Sequence, residues 1–328
     1  MTSVGVIGAG AWGTTIANIL ADNGHDVRLW CYSTDRCNEL ASGRHHRLPG
    51  IALNSTIQPT TQLSDCYDVD FIVMGLSSQQ LVDMKDQINW SAFSKLVILA
   101  KGIIEPHMFI SDWLADIYDG DLAVLSGPNL ALEIAQKKPA ATVVASKNND
   151  LALLIQQALS NHYFRVYTSS DVRGVECGGI FKNVYAIAAG CLDGLNFGDN
   201  AKSALITRGL VELQRLFAHY GAKDATLMGL SGLGDLIATC SSNKSRNWQL
   251  GHEVVTSDSS KDWQASNRGV TEGLRTIQLF QDKMIEAGLD LPIMSAIGRL
   301  FFDQNSSPEQ IIHELMERGL KSEFDHQT

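Results

Sequence analysis

The stretch VGVIGAGAWGTTIANILADNG, residues 4–24, constrains this 328-residue chain more than any other. A short apolar run predicts a buried strand. Gly8-x-Gly10-x-x-Gly13 follows it and opens an apolar-periodic helix that Gly24 closes. DVRLW, residues 26–30, then reads as a second strand, which completes a strand–helix–strand unit. Each glycine has its own task. Gly8 permits a tight turn, Gly10 lets the backbone approach a pyrophosphate, and Gly13 lets helix and strand pack closely. The N–H groups and dipole of the helix N-terminus then stabilise the diphosphate, so the unit predicts dinucleotide binding. An acidic residue at the end of the second strand would favour NAD and a basic one NADP. After Trp30 the chain reads CYSTDR: neither is at the expected place, though Asp35 and Arg36 follow closely, so NAD or NADP both remain open.

Further apolar strands are expected at 70–75, 95–100, 122–126, 141–146 and 164–167, separated by helical segments. That alternation predicts an α/β domain built on a Rossmann-type doubly wound, mainly parallel sheet. After about residue 171 the pattern becomes helical throughout, as in SALITRGLVELQRLFAHY. The expected organisation is a dinucleotide-binding domain over 1–170 and an all-helical substrate and catalytic domain over 171–328. Apolar helix faces in the second part leave a homodimer open.

Composition narrows the function. Acidic residues exceed basic ones, 36 to 26, giving a net charge of −10 and no block of Lys or Arg. A nucleic-acid surface is therefore not expected, whereas a small anion needs only a local basic site. Six cysteines without a CxxC pair read as reduced thiols of a cytoplasmic chain. The N-terminus lacks the basic and apolar regions of a signal peptide, and no apolar run is long enough for stable membrane insertion. His, Cys, Asp and Glu show no metal-ligand spacing, so no metal is expected.

Lys182 is the only charge in GGIFKNVYAIAAG, residues 178–190. A lone helix lysine can snorkel to solvent, but the surrounding Gly and Ala admit another backbone or a ligand. Lys101, in AKG, follows an apolar strand at the carboxyl edge where open α/β sheets bind ligands. SGPN, with Gly127 and Asn129, follows another strand. Asp235 is the one acid of GLSGLGDL and reads either as a site acid or as a helix N-cap. Ser245, Arg246 and Asn247 make a donor cluster suited to phosphate, or a solvated loop.

These segments in order, GAGAWGTTIA, AKG, SGPNLALE, ECGGIFKNVYAIAAGCLDGL, ALITRGLVE, GLSGLGDLIATC, SRN and VTEG, resemble the bacterial NAD(P)-dependent glycerol-3-phosphate dehydrogenases from residue 8 to about 275. The resemblance implies a Rossmann domain, a helical domain and a site in the cleft between them. It implies reversible hydride transfer between NAD(P)H and a phosphorylated triose, dihydroxyacetone phosphate, to give sn-glycerol 3-phosphate for phospholipid synthesis. By position, Lys182 is implied as the acid–base group, with Lys101 and Asp235 as its polar neighbours. Gly127, Asn129, Ser245, Arg246 and Asn247 are implied as substrate contacts. Ala11, Trp12, Tyr32, Lys101, Ala131, Arg246, Val270 and Glu272 are implied as cofactor contacts beyond the three glycines. Three positions depart from the family pattern: Asn129 stands in place of Ser or Thr, Ala11 in place of Ser, and Tyr32 where NADP-using members often carry a basic residue. The competing readings are a hydroxy- or sugar-acid dehydrogenase of similar architecture, and a dinucleotide sensor without catalysis.

Overall fold

The computed structural model describes residues 1–105, 109–256, 271–303, 306–320 and 322–323. Eight strands form one sheet: β1 Ser3–Ile7, β2 Asp26–Trp30, β3 Gln58–Thr60, β4 Phe71–Met74, β5 Lys95–Ile98, β6 Asp121–Ser126, β7 Ala140–Ser146 and β8 Phe164–Ser169. Their order is β3-β2-β1-β4-β5-β6-β7-β8, with every neighbouring pair parallel except β6 and β7. The chain leaves β1 toward β3, then returns and builds outward from β4. The strand order thus reverses between β1 and β4, and a crevice opens beyond their carboxyl ends. β3 has no counterpart in the sequence reading. It is three residues long, contains Pro59, and occupies an edge, where a missing N–H costs no ladder bond.

Helices α1 Ala11–Asp22, α2 Thr34–Ala41, α3 Ser78–Asp83, α4 Ile110–Ala115, α5 Ala131–Ala135 and α6 Asn149–Leu159 flank the sheet. The central strands are buried on both faces, and their side chains alternate between two apolar layers. Val4 and Val6 join Ile16, Leu20 and Ile155, while Ile7, Ile72 and Met74 join Leu81 and Leu114. This two-sided burial is why the strands read as continuous apolar runs.

After β8 the chain is helical: α7 Val172–Gly194, α8 Gly198–His219, α9 Asp224–Leu227, α10 Asp235–Cys240, α11 Arg246–Thr256, α12 Glu272–Glu286, α13 Pro292–Phe302 and α14 Pro308–Met316. Compactness divides the chain into residues 1–182 with 213–239, and residues 183–212 with 240–328. Both α7 and α8 contribute to both units. Residues 174–190 of α7 are buried all round, which a helix of Gly, Ala, Ile, Val and Phe requires. In the first unit a side chain at Gly178 would lie 2.2 Å from the carbonyl oxygen of Ser231, so only glycine permits that approach. In the second unit the buried Glu212 carboxylate caps α13, accepting from the backbone N–H of Ile293 (2.6 Å) and Met294 (3.2 Å). It also accepts from the Tyr185 hydroxyl at 3.2 Å. Among the described residues no helix is long and apolar enough to cross a membrane, and no group of His, Cys, Asp and Glu is placed to hold a metal ion.

Candidate active site

Three chain segments of the first unit bring two lysines onto one carboxylate. Lys101 follows β5 at the carboxyl edge of the sheet, and Lys182 lies on α7. Asp235 starts α10 directly after a single π-helical turn, Leu230–Gly234, of the kind often found beside functional groups. Lys182 Nζ donates to Asp235 Oδ1, and Lys101 Nζ donates to Asp235 Oδ2 at 2.6 Å. Lys101 also donates to the Gly127 carbonyl oxygen at 3.1 Å. Lys182 donates to Thr239 Oγ1 at 2.8 Å, while the hydroxyl of Thr239 gives its own proton to the Asp235 carbonyl oxygen at 2.6 Å. Asp235 is 1% exposed and Lys182 7%. Each ammonium has three protons and spends two on these bonds, which leaves one apiece for a ligand.

Burial lowers the Lys182 pKa from the usual lysine value to about 8. The Asp235 carboxylate opposes that shift and the nearby Lys101 charge adds to it. The sequence left open whether Asp235 reaches Lys182. It does so while also beginning a helix, so site acid and helix start coincide. Glu176, the acid of the ECGG segment, serves elsewhere: its two carboxylate oxygens accept from the backbone and the hydroxyl of Ser111 at the start of α4. Burial raises its pKa to about 7.

The SGPN segment borders the same cluster. A side chain on Gly179 would lie 3.2 Å from Ser126 Oγ and 3.3 Å from Lys101 Cγ, so a glycine on α7 makes room for both. Thr142 Oγ1 donates its single proton to the Ser126 carbonyl oxygen at 2.9 Å. It can therefore only accept from Asn129, whose Nδ2 stands 3.0 Å away. Asn129 Oδ1 and Ser126 Oγ are left buried without a partner. A polar ligand that donates to one and accepts from or donates to the other would remove that cost. Asn129 thus offers an acceptor where the family's hydroxyl would offer a donor as well.

The glycine loop lies at the switch point. Gly8 has φ +118°, and a side chain on Gly13 would lie 2.1 Å from the Gly8 carbonyl oxygen. A side chain on Gly10 would meet nothing within 4 Å. Internal packing therefore does not require glycine there, and the open space is what a pyrophosphate on the N-terminus of α1 would use. Gly10 caps α1 without a side chain, which leaves the first-turn N–H groups for a ligand. A pocket of about 300 Å³ joins Gly8 and Gly10 to Tyr32, Ser33, Arg36 and Arg47. Trp12 stands edge-on to Phe164 with ring centroids 6.3 Å apart, and the Thr15 hydroxyl, which donates to the Ala11 carbonyl oxygen at 2.8 Å, lies 3.3 Å from the Ala131 carbonyl oxygen of α5. These residues fit a bound dinucleotide.

In the second unit Asn247 Nδ2 donates to Asn183 Oδ1 at 3.0 Å, and Asn183 Nδ2 donates to Glu272 Oε2 at 3.3 Å. Asn247 Oδ1 accepts from the Gly273 N–H at 3.1 Å. Ser245 caps α11 through the Trp248 N–H at 3.3 Å, and Arg246 is exposed. Val270 lies outside the described residues. The structure adds residues that the sequence reading did not single out. Thr239 lies one turn beyond Asp235, an i, i+4 spacing that places both on one helix face. Asn183 follows Lys182 directly, and Ser126 ends a strand at the ligand edge.

Comparison with known proteins gives a consistent result. Residues 3–152 match the model for the N-terminus of NAD-dependent glycerol-3-phosphate dehydrogenase, and residues 171–313 match that for its C-terminus. A glycerol-3-phosphate dehydrogenase [NAD(P)+] of Geobacillus thermodenitrificans is 39% identical, covering 99% of this chain and 97% of that protein. One from Citrifermentans bemidjiense is 38% identical, with 98% of each covered. The crystal structure of glycerol-3-phosphate dehydrogenase from Coxiella burnetii superposes with a TM-score of 0.87 at 33% identity, covering 97% of this chain and 99% of that one.

Proposed function

The chain belongs to the NAD-dependent glycerol-3-phosphate dehydrogenase family, and we propose that Lys182 is the acid–base group of its reaction, the reversible reduction of dihydroxyacetone phosphate to sn-glycerol 3-phosphate. The carrying observation is the dry Lys182–Asp235–Lys101 cluster, in which burial brings one ammonium to a pKa of about 8. NAD(P)H, when bound, supplies the hydride.

In reduction the Lys182 ammonium donates to the ketone oxygen. As the new C–H bond forms, the C=O π electrons move onto oxygen, which takes the proton from Nζ. Charge grows on that oxygen toward the transition state, so a fixed cation beside it lowers the barrier. In oxidation the neutral amine accepts the hydroxyl proton. Asp235 holds both lysines in place, and Thr239 fixes the direction of the Lys182 amine. Lys101 keeps a second positive charge beside the first and directs its remaining proton to a substrate oxygen. Gly127 and the orphaned Asn129 Oδ1 face the substrate's hydroxyl end. Ser245, Arg246 and Asn247 take the phosphate, Arg246 through its planar fork. Gly8, Gly10, Ala11, Trp12, Gly13, Tyr32 and Ala131 hold the dinucleotide, with Lys101, Arg246, Val270 and Glu272 as further contacts.

Residues 1–170 act as the dinucleotide-binding domain and 171–328 as the substrate and catalytic domain, a division supported by the separate family matches on either side of residue 170. The free state of all six cysteines supports a cytoplasmic setting, where the product would feed phospholipid synthesis. Exposed apolar side chains on helices, Phe302 and Met316 among them, favour a homodimer, which sedimentation velocity tests.

Nicotinamide absorbance followed with dihydroxyacetone phosphate, using NADH and NADPH in parallel, tests the reaction. Unphosphorylated dihydroxyacetone is expected to be a very poor substrate, because remote phosphate binding orients the reacting carbon. Equal turnover of the two ketones would remove Arg246 from its role.

A further inference from the structure

A small cavity beside the Lys101 side chain brings together two polar groups with bonding capacity to spare. It is lined by Lys101, Gly102, Ser126, Glu176 and Gly179, and by apolar side chains of α4, β6 and α7. Neither Lys182 nor Asp235 lines it. Its volume of about 10 Å³ suits one water molecule.

Ser126 ends β6 and is 1% exposed, and its Oγ has no partner. A Cβ on Gly179 would lie 3.2 Å from that oxygen, so the hydroxyl faces the space that α7 leaves by carrying no side chain there. Glu176 lies three residues earlier on the same helix, which puts it on the same face. It is buried, and Ser111 gives one hydrogen bond to each of its carboxylate oxygens, from the backbone N–H at 3.0 Å and from the hydroxyl at 2.5 Å. Each of those oxygens can accept once more. The Arg173 guanidinium does not fill that capacity, because both ends of its fork go to Asp112 at 2.7 Å each. A buried hydroxyl with nothing to bond and a buried carboxylate with lone pairs left over are both costly, and a space of one water's size joins them.

We propose that the cavity binds a single water molecule that accepts from the Ser126 hydroxyl and donates to the Glu176 carboxylate. Gly179 makes the site possible, since any side chain there would occupy the water's place. The water also seats Lys101. The lysine stem borders both the cavity and Gly179, with Cγ 3.3 Å from where a Cβ would be, and its Nζ goes on to the Gly127 carbonyl oxygen at 3.1 Å and to Asp235 at 2.6 Å. With the water in place the stem has no room to sink toward α7, and the ammonium stays at those two bonds. This consequence for catalysis rests on the role given to Lys101 above; the water itself does not.

Crystallography of the full chain, at a resolution that shows ordered water, tests the site directly. One density peak is expected within hydrogen-bond distance of both Ser126 Oγ and the Glu176 carboxylate. A cavity without density, or a peak that touches only one of the two, would overturn the proposal. Carboxyl ¹³C NMR gives an independent reading. Burial brings the Glu176 pKa to about 7, and a donor to its carboxylate favours the charged form. Gly179→Ala displaces the water and Ser126→Ala removes its anchor, so the Glu176 midpoint should move to higher pH in both. Circular dichroism reports whether each variant is folded, and an unchanged midpoint in either folded variant would contradict the site. Ser126→Ala should also lower kcat/KM for dihydroxyacetone phosphate about three- to tenfold while leaving NADH affinity unchanged. Native kcat/KM in a variant that has lost the peak would overturn the seating of Lys101 and leave the water. Failure of the native chain to reduce dihydroxyacetone phosphate would overturn the reaction and not the water.

Discussion

Two pairs of basic residues in one unit of this protein live under opposite conditions. Lys182 is buried against Asp235 with the partly buried Lys101 beside them, whereas Arg36 and Arg47 line an open pocket beside α2. The dry pair uses lysine, whose proton can be made labile by burial, and Lys182 is accordingly brought to about 8. The open pair uses arginine, which never gives up its proton and offers a fork that matches phosphate. A proton donor and an anion-binding group suit different cations in different surroundings. Charge alone does not tell the two jobs apart; burial and residue type together do.

The largest effect should come from the dry pair. Lys182→Met should lower kcat/KM by about 10²- to 10⁴-fold, and Lys182→Arg should be no better, because its proton is not available. Arg36→Lys keeps a cation and loses only the fork, so kcat/KM with NADPH should fall by no more than about tenfold. Steady-state assays on the three variants separate these expectations, and an active Lys182→Arg would break the comparison.

Stability should sort the pairs in the same way. Asp235→Asn leaves the buried Lys182 ammonium and the partly buried Lys101 ammonium without their anion and should cost about 3–5 kcal/mol in urea unfolding. Glu39→Gln, at the partly exposed Arg36 pair, should cost about 1 kcal/mol or less. Comparable losses at both sites would mean that the two environments do not differ as described.

A third test uses pH. As the proposed acid–base group, Lys182 must be protonated for reduction and neutral for oxidation. Reduction should therefore hold below about pH 8 and fall above it, while oxidation rises through the same value and levels off. Smallest of all, Asn129→Ser should change KM by only a few-fold, since a hydroxyl can also satisfy a ligand at that position.

What could be read from the sequence was what lies close together along it. The glycine loop, the paired strands and the solitary Lys182 announce themselves because apolar runs make any polar or flexible residue conspicuous. Lys101 was legible as the first charge after a strand. β3 was not, because three residues containing a proline carry no period. Thr239 was within reach, one helical turn from Asp235, but an i, i+4 pair gains meaning only once Lys182 is known to face it. The basic pocket was hidden because His45 and Arg47 come from a turn with no regular spacing, and that turn is set by a contact of 3.1 Å between His45 Nε2 and the Ala9 carbonyl oxygen. The two compact units interleave 183–212 and 213–239, which only packing can reveal.

The proposed proton transfer requires a buried lysine whose proton is easy to lose. Side-chain ¹⁵N NMR of the full chain, recorded from pH 6 to 11, observes that proton directly. One lysine amine should titrate near 8 and vanish from the spectrum of Lys182→Met. Titration of every lysine near the ordinary value of about 10.4 would contradict it.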